Sequence, residues 1–167
     1  MLFKVLVIPY CFIHGALNFL MVHDKTFEEW TFVSGGKKVH ESVTSCAARE
    51  LYEETKGVID ISEERFRESL FFTIHVMHSA FPNSAFKLHT LYHVYFVNLR
   101  FNRDSNMRHV EDMFRASQRT EREMNENDDA RFFRYRDIKH IPTTWDFIKE
   151  IISMNVFKFH VQNLPNG

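Results

Sequence analysis

Hydrophobic positions along this chain follow two periods, and the switches between them outline the elements. Residues 3 to 12 form a nearly unbroken apolar run rich in β-branched and aromatic side chains, which predicts a buried strand. Residues 17 to 23 predict a second strand, with His14 and Gly15 at the turn between the two. A short apolar run from 30 to 33 predicts a third, broken by Ser34, Gly35 and Gly36. From 42 to 55 the period becomes helical. Val43, Cys46, Ala47 and Leu51 recur at three- and four-residue spacing, while charges take the other faces. Gly57 is the expected stop, because glycine accepts the left-handed backbone found just past many helix ends.

Residues 71 to 77 and 88 to 99 predict two more strands. The second alternates with both faces largely apolar, as a central strand covered on each side would. Residues 79 to 87, with Pro82 and Asn83, read as a loop between them. Residues 101 to 130 are the most polar stretch; they predict a short helix at 110 to 117 and a loop through 125 to 129. A last strand is expected at 132 to 135. A closing helix is expected at 143 to 154, capped by Thr143 or Thr144, with Trp145, Ile148, Ile151 and Ile152 on one side. No repeat or linker divides the chain, so residues 1–167 read as one domain.

Composition narrows the class of partner. A net charge of −1 over 167 residues excludes a strong generic nucleic-acid field, and no DNA partner is expected. Residues 100 to 139 carry nine arginines and one lysine against nine acidic groups, a mixed solvated face before it is a phosphate-binding stripe. Eighteen phenylalanines predict a phenylalanine-heavy core ahead of a base-stacking surface. The apolar N-terminal stretch from 2 to 20 contains Lys4, Pro9, His14 and Asn18, so no membrane span or secretory leader is expected. Cys11 and Cys46 are too few for a disulfide framework; Cys46 reads as a small buried thiol in a reducing, cytoplasmic setting.

The chemistry concentrates in residues 35–57, GGKKVHESVTSCAARELYEETKG. Helical spacing puts Glu50, Glu53 and Glu54 on one face. Three like charges there gain nothing for a helix unless something neutralises them. A hard divalent cation does so, since Mg²⁺ prefers oxygen ligands and shares its shell with substrate phosphates. Water attack on phosphorus is the reaction such a site suits. A solvated acidic face bridged to Arg49 or Lys56 is the plainer alternative, and the wider spacing weighs against it. Gly35, Glu41, Arg49, Glu50, Glu53 and Glu54 fix six identities, each at odds of about one in fifteen, so a chance match is on the order of 10⁻⁷ per register.

That spacing is similar to the Nudix box, and the chain resembles Nudix hydrolases. The resemblance implies an α/β fold: an α/β/α sandwich with a mixed β-sheet and a loop-helix-loop catalytic motif. It implies Mg²⁺ or Mn²⁺ as cofactor, with Glu50, Glu53 and Glu54 as metal ligands and Arg49 orienting a glutamate. Glu41 would support the loop or a second metal, and Gly35 and Gly36 would let the backbone approach phosphates. Lys37 and Lys38 on that loop would face them. One departure is visible: the family's glycine after the paired glutamates is Lys56 here, followed by Gly57 and Val58, so the helix is expected to run one residue longer. The Glu-Glu-Thr-basic-Gly ending and the line Trp30-Thr31-Phe32-x-x-Gly35-Gly36 are also similar to Nudix proteins of large DNA viruses.

Family members often add a glutamate from a loop outside the box. Glu126 is the expected one as base or extra ligand, with Glu123 behind it. The histidine spacings 75/78 and 89/93 do not converge within a strand, and no cysteine pair helps, so no zinc site is expected. The expected partner is a nucleotide or capped-RNA substrate, with removal of the mRNA 5′ cap the first choice. ADP-ribose, dinucleoside polyphosphates, nucleoside triphosphates and diphosphoinositol phosphates are the rivals. Trp30, Phe81 and Phe86 are the candidates to stack a cap base. A binding protein on the same fold would have lost a box glutamate, and none is lost here.

Overall fold

In the computed structural model, which describes residues 1–79 and 82–166, the first strand organises everything else. β1 (Leu2–Ile13) turns back into β2 (Ala16–Asp24) through His14 and Gly15, both at positive φ. That two-residue turn carries the twist that hairpins favour. On its other edge β1 pairs in parallel with β6 (Lys87–Asn98), which pairs antiparallel with β5 (Leu70–Ser79). β3 (Glu29–Thr31) and β7 (Asn127–Arg134) flank β2, and β4 (Val33–Gly36) pairs with β1. The result is one mixed seven-stranded sheet ordered β3-β2-β1-β6-β5, with β4 and β7 joining β1 and β2.

Alternation along β1 sorts side chains to two cores, one per sheet face. Val5 and Val7 meet α1 (Val43–Glu54), α2 (Glu63–Arg67) and α3 (Asp104–Ala116) through Leu51, Phe66 and Phe114. Leu6 and Ile8 meet α4 (Asp146–Ser153) and α5 (Asn155–Gln162) through Ile148, Ile151 and Phe157. Both faces covered is why β1 reads as a continuous apolar run. Seven phenylalanines are buried, Phe19, Phe96 and Phe157 among them, and they meet edge-on or tilted. Five more, Phe12, Phe101, Phe132, Phe133 and Phe147, are partly buried against the two cores, so core packing takes most of the described phenylalanines.

Several expectations need correction. Ser34, Gly35 and Gly36 do not break a strand: they continue β4 against Leu6, Val5 and Lys4. The break lies at Phe32, where the chain passes from pairing with β2 to pairing with β1. The last strand begins at Asn127, earlier than expected, because the polar residues 127 to 129 pair with Asp24 and His23 on β2. The helix expected near 110 to 117 starts at Asp104. The closing helix starts only at Asp146, since the backbones of Thr143 and Trp145 hydrogen-bond to Trp30. A separate α5 follows, and α2 was not foreseen.

The helix that carries the box ends at Glu54 rather than one residue later. Lys56 itself takes the left-handed conformation, φ 55°, with Gly57 next at φ 76°. Lys56 N–H donates to Glu53 O at 3.1 Å and Gly57 N–H to Tyr52 O at 2.8 Å, the paired closure that satisfies the last carbonyls of a helix. The lysine side chain lies over the Phe114 ring, 4.7 Å from its centre. That contact offsets part of the strain a non-glycine residue meets there.

Candidate active site

Strand β4 and helix α1 bring the box residues together around one arginine. Arg49 grips Glu41 with two bonds, Nε to Oε1 at 2.8 Å and Nη2 to Oε2 at 3.0 Å. Its Nη1 donates to Glu50 at 2.7 Å and to Glu53 at 3.1 Å, and Nη2 also donates to the Gly36 carbonyl at 3.1 Å. The guanidinium holds the Glu41 carboxyl down at about 2, chiefly through the side-chain hydrogen bond. Glu41 in turn accepts from the Lys38 backbone N–H, which pins the loop. A lysine cannot span three carboxylates and a carbonyl. Arg49→Lys is therefore expected to lower kcat about 10- to 100-fold, the range for losing a partner that orients ligating groups. A kcat within twofold of wild type would remove Arg49 from this role.

Glu54 lies apart from that network. It is buried, accepts from Ser34 N–H at 3.3 Å, and lies 3.4 Å from the Asn127 amide nitrogen. Its carboxyl is pushed well above the usual range, by burial first and then by the Glu50 charge. Glu50 is pushed up as well, again mainly by burial. Gly35 explains the tight packing, because a Cβ there would sit 1.9 Å from the Glu50 carboxyl carbon. Close approach to Glu50, and no turn, is what requires this glycine. A Cβ on Gly36 would meet nothing within 4 Å.

Glu54 and Glu126 line a cavity of about 280 Å³ together with Asp24, Glu29, Thr31, Ser34, Asn127 and the aromatic residues Phe27, Phe32 and Trp145. Glu126 enters from the segment before β7, and its carboxyl is raised by burial and then by Asp24 and Glu53. Glu50 and Glu53 flank the cavity closely enough for their charges to act on Glu54 and Glu126. Other expected contacts lie elsewhere. Lys37 and Lys38 line a separate shallow depression with Phe3 and Lys4. Trp30 is on the opposite side of β3 from Glu29 and Thr31, against Phe133 and Arg131. Phe86 is exposed outside the cavity, and Phe81 lies outside the described residues. Glu123 does not line the cavity. Asp24, Phe27, Glu29, Asn127 and Trp145 were missed; only the polar-aromatic alternation of 29 to 31 hinted at them.

These residues fit a hard divalent cation by their donor chemistry. Every donor is oxygen, Glu50 and Glu54 repel one another while buried, and Arg49 does not reach Glu54. Among the described residues no three such side chains already converge as a finished cage. Histidines 75 and 89 do meet, Nε2 to Nδ1 at 2.9 Å, but across β5 and β6, which contribute nothing to the cavity. Cys11 and Cys46 are buried thiols pushed up to about 12 by burial, too inert for nucleophiles. No described helix is long and apolar enough to cross a membrane.

A family model for the NUDIX domain matches residues 7–153, from within β1 to the end of α4. The chain belongs to the Nudix family. The fold is that of Nudix hydrolases, and the chain is a Nudix pyrophosphohydrolase by family, with every box glutamate present. A putative NUDIX hydrolase from Listeria monocytogenes is similar over 99% of this chain and 98% of its own, with 19% identity and a TM-score of 0.60. The Ap4A hydrolase of C. elegans in a binary complex is 14% identical over 98% of this Nudix chain and 100% of its own, TM-score 0.56. The NUDIX domain of Shewanella oneidensis NrtR complexed with ADP ribose is 12% identical over 99% and 89%, TM-score 0.57. At such identities the likeness is one of fold. No curated protein sequence matches this Nudix hydrolase significantly.

Proposed function

We propose that this Nudix hydrolase cleaves the diphosphate linkage of a nucleoside diphosphate joined to a second group, with Mg²⁺ or Mn²⁺ held by Glu50, Glu53 and Glu54. The observation that carries the reading is the cavity itself, where buried Glu54 and solvent-facing Glu126 share walls with Phe27 and Trp145. When bound, the metal polarises the phosphoryl oxygens and activates water. Arg49 fixes Glu41, Glu50 and Glu53, and the Ser34 N–H and the Asn127 side chain hold Glu54. Glu126 comes from outside the helix and makes no ion pair within 4.0 Å among the described residues, so its carboxylate is placed to accept a proton from water. The free, buried cysteines fit a reducing compartment, the cytoplasm.

The wall chemistry narrows the substrate. Diphosphoinositol phosphates call for a basic pocket without an aromatic clamp; this cavity is acidic and aromatic. A base stacks on Phe27 or Trp145 in place of Trp30. Within that class the mRNA 5′ cap suits the cavity, since a positively charged methylated base favours aromatic faces and the carboxylates of Asp24 and Glu29. ADP-ribose and dinucleoside polyphosphates are the rivals. Incubating the protein and its Glu54→Gln variant with capped RNA, ADP-ribose, diadenosine tetraphosphate and GTP, with Mg²⁺ or Mn²⁺, separates them. Release of m⁷GDP by wild type alone establishes decapping, and cleavage of another substrate by wild type alone reassigns the base. Failure on all four would sink this choice of substrate class.

A further inference from the structure

Asp24, Phe27 and Glu126 line two depressions at once. One is the carboxylate cavity; the other is an open groove of about 600 Å³ that adds Lys25, Thr26, Thr120, Arg122 and Asn125. The groove adds positive charge to this shared wall, beside the carboxylates of Asp24 and Glu126. No lysine or arginine lines the cavity, whereas Lys25 and Arg122 line the groove, and among the described residues neither makes an ion pair within 4.0 Å. The groove is also built, since its two loops are fastened. Asp24 accepts from the Thr26 and Phe27 N–H groups at 2.8 and 2.9 Å, fixing the β2–β3 turn. Lys25 N–H donates to the Glu126 carbonyl at 3.2 Å and ties that turn to the segment before β7. Asn125 donates to the Arg119 and Glu121 carbonyls.

We propose that this groove receives the part of the substrate beyond the scissile diphosphate, and that this part is itself phosphorylated. The inference rests on the hydrolase reading above. Two cations free of ion pairs within 4.0 Å, carried on loops held beside a carboxylate site, suit phosphate oxygens and offer nothing particular to a neutral sugar. A polyphosphate tail and a phosphodiester chain share that chemistry.

The test is the Lys25→Ala/Arg122→Ala double variant, which leaves the box glutamates and the Arg49 network untouched. KM for diadenosine tetraphosphate or for capped RNA is expected to rise on the order of tenfold, with kcat nearly kept and KM for ADP-ribose within about twofold. A rise confined to the tetraphosphate identifies a polyphosphate tail, and one confined to capped RNA identifies the chain. An equal change on ADP-ribose, or none on either anionic substrate, overturns the proposal. Calorimetric titration of inorganic tripolyphosphate with Mg²⁺ decides the matter apart from turnover. Weaker binding by the double variant supports the groove even if no substrate is cleaved, and equal binding rejects it.

Discussion

Glu54→Gln is expected to cut kcat about a thousandfold while leaving the fold intact. The amide keeps the size of the carboxylate and an oxygen that can accept from Ser34 N–H. What it removes is charge, at the one box glutamate that both lines the cavity and stands outside the Arg49 network. Loss of a single preorganised electrostatic contact at a reacting centre costs about 10²- to 10³-fold, and a ligating charge lies at the upper end of that range. Stability should move the other way. Burial and the Glu50 charge already penalise the ionised form of Glu54. Its folded-state pKa is raised, so at neutral pH a permanently neutral side chain removes a penalty. Thermal midpoints measured in EDTA, where metal cannot stabilise wild type by mass action, should be equal or higher for the variant. Turnover within tenfold of wild type, or a clear fall in the midpoint, would show that Glu54 has another role.

Gly35→Ala should damage both folding and catalysis. Its Cβ would lie 1.9 Å from the Glu50 carboxyl carbon and 2.1 and 2.2 Å from the two oxygens, so something must move. Glu50 is itself buried and held by Arg49 at 2.7 Å, and moving it breaks that pair. Shifting β4 instead disturbs its register with β1, where Gly35 faces Val5. Overpacking of this kind costs about 1–3 kcal/mol, which a urea midpoint reads directly, and kcat should fall by about 10² or more. A Gly35→Ala/Glu50→Ala double variant separates the causes. If the clash with Glu50 is the source, the double variant recovers stability relative to the sum of the single changes and stays inactive. Strict additivity would place the strain in the backbone.

What could be read in advance was local. The β1–β2 hairpin turn and the box helix follow from periods and turn residues within about a dozen positions, and those lay where expected. The second wall of the cavity could not be read that way. Asp24, Glu29 and Asn127 converge because β2 pairs with β3 on one edge and with β7 on the other. Asn127, Asp128 and Asp129 look like a loop on composition and become strand only because β2 supplies partners. Lys37 and Lys38 follow the box glycines closely, yet the chain direction out of β4 carries them away from the carboxylates. The meaning of Gly35 was legible as a glycine but not as a space for Glu50, which sits fifteen positions further along.

The parallel pairing of β1 with β6 also bears on how the protein is made. Leu2 to Tyr10 find their partners at Thr90 to Asn98, so the centre of the sheet stays incomplete until residue 98 has emerged from the ribosome. At synthesis rates of roughly 5–20 residues per second, that leaves β1 with an open apolar edge for about 4–20 s. The hairpin with β2 protects only one side in that interval. The strand at the centre of the sheet therefore precedes its parallel partner by more than seventy residues, and an apolar edge left open for that interval is a place where a nascent chain can pair wrongly.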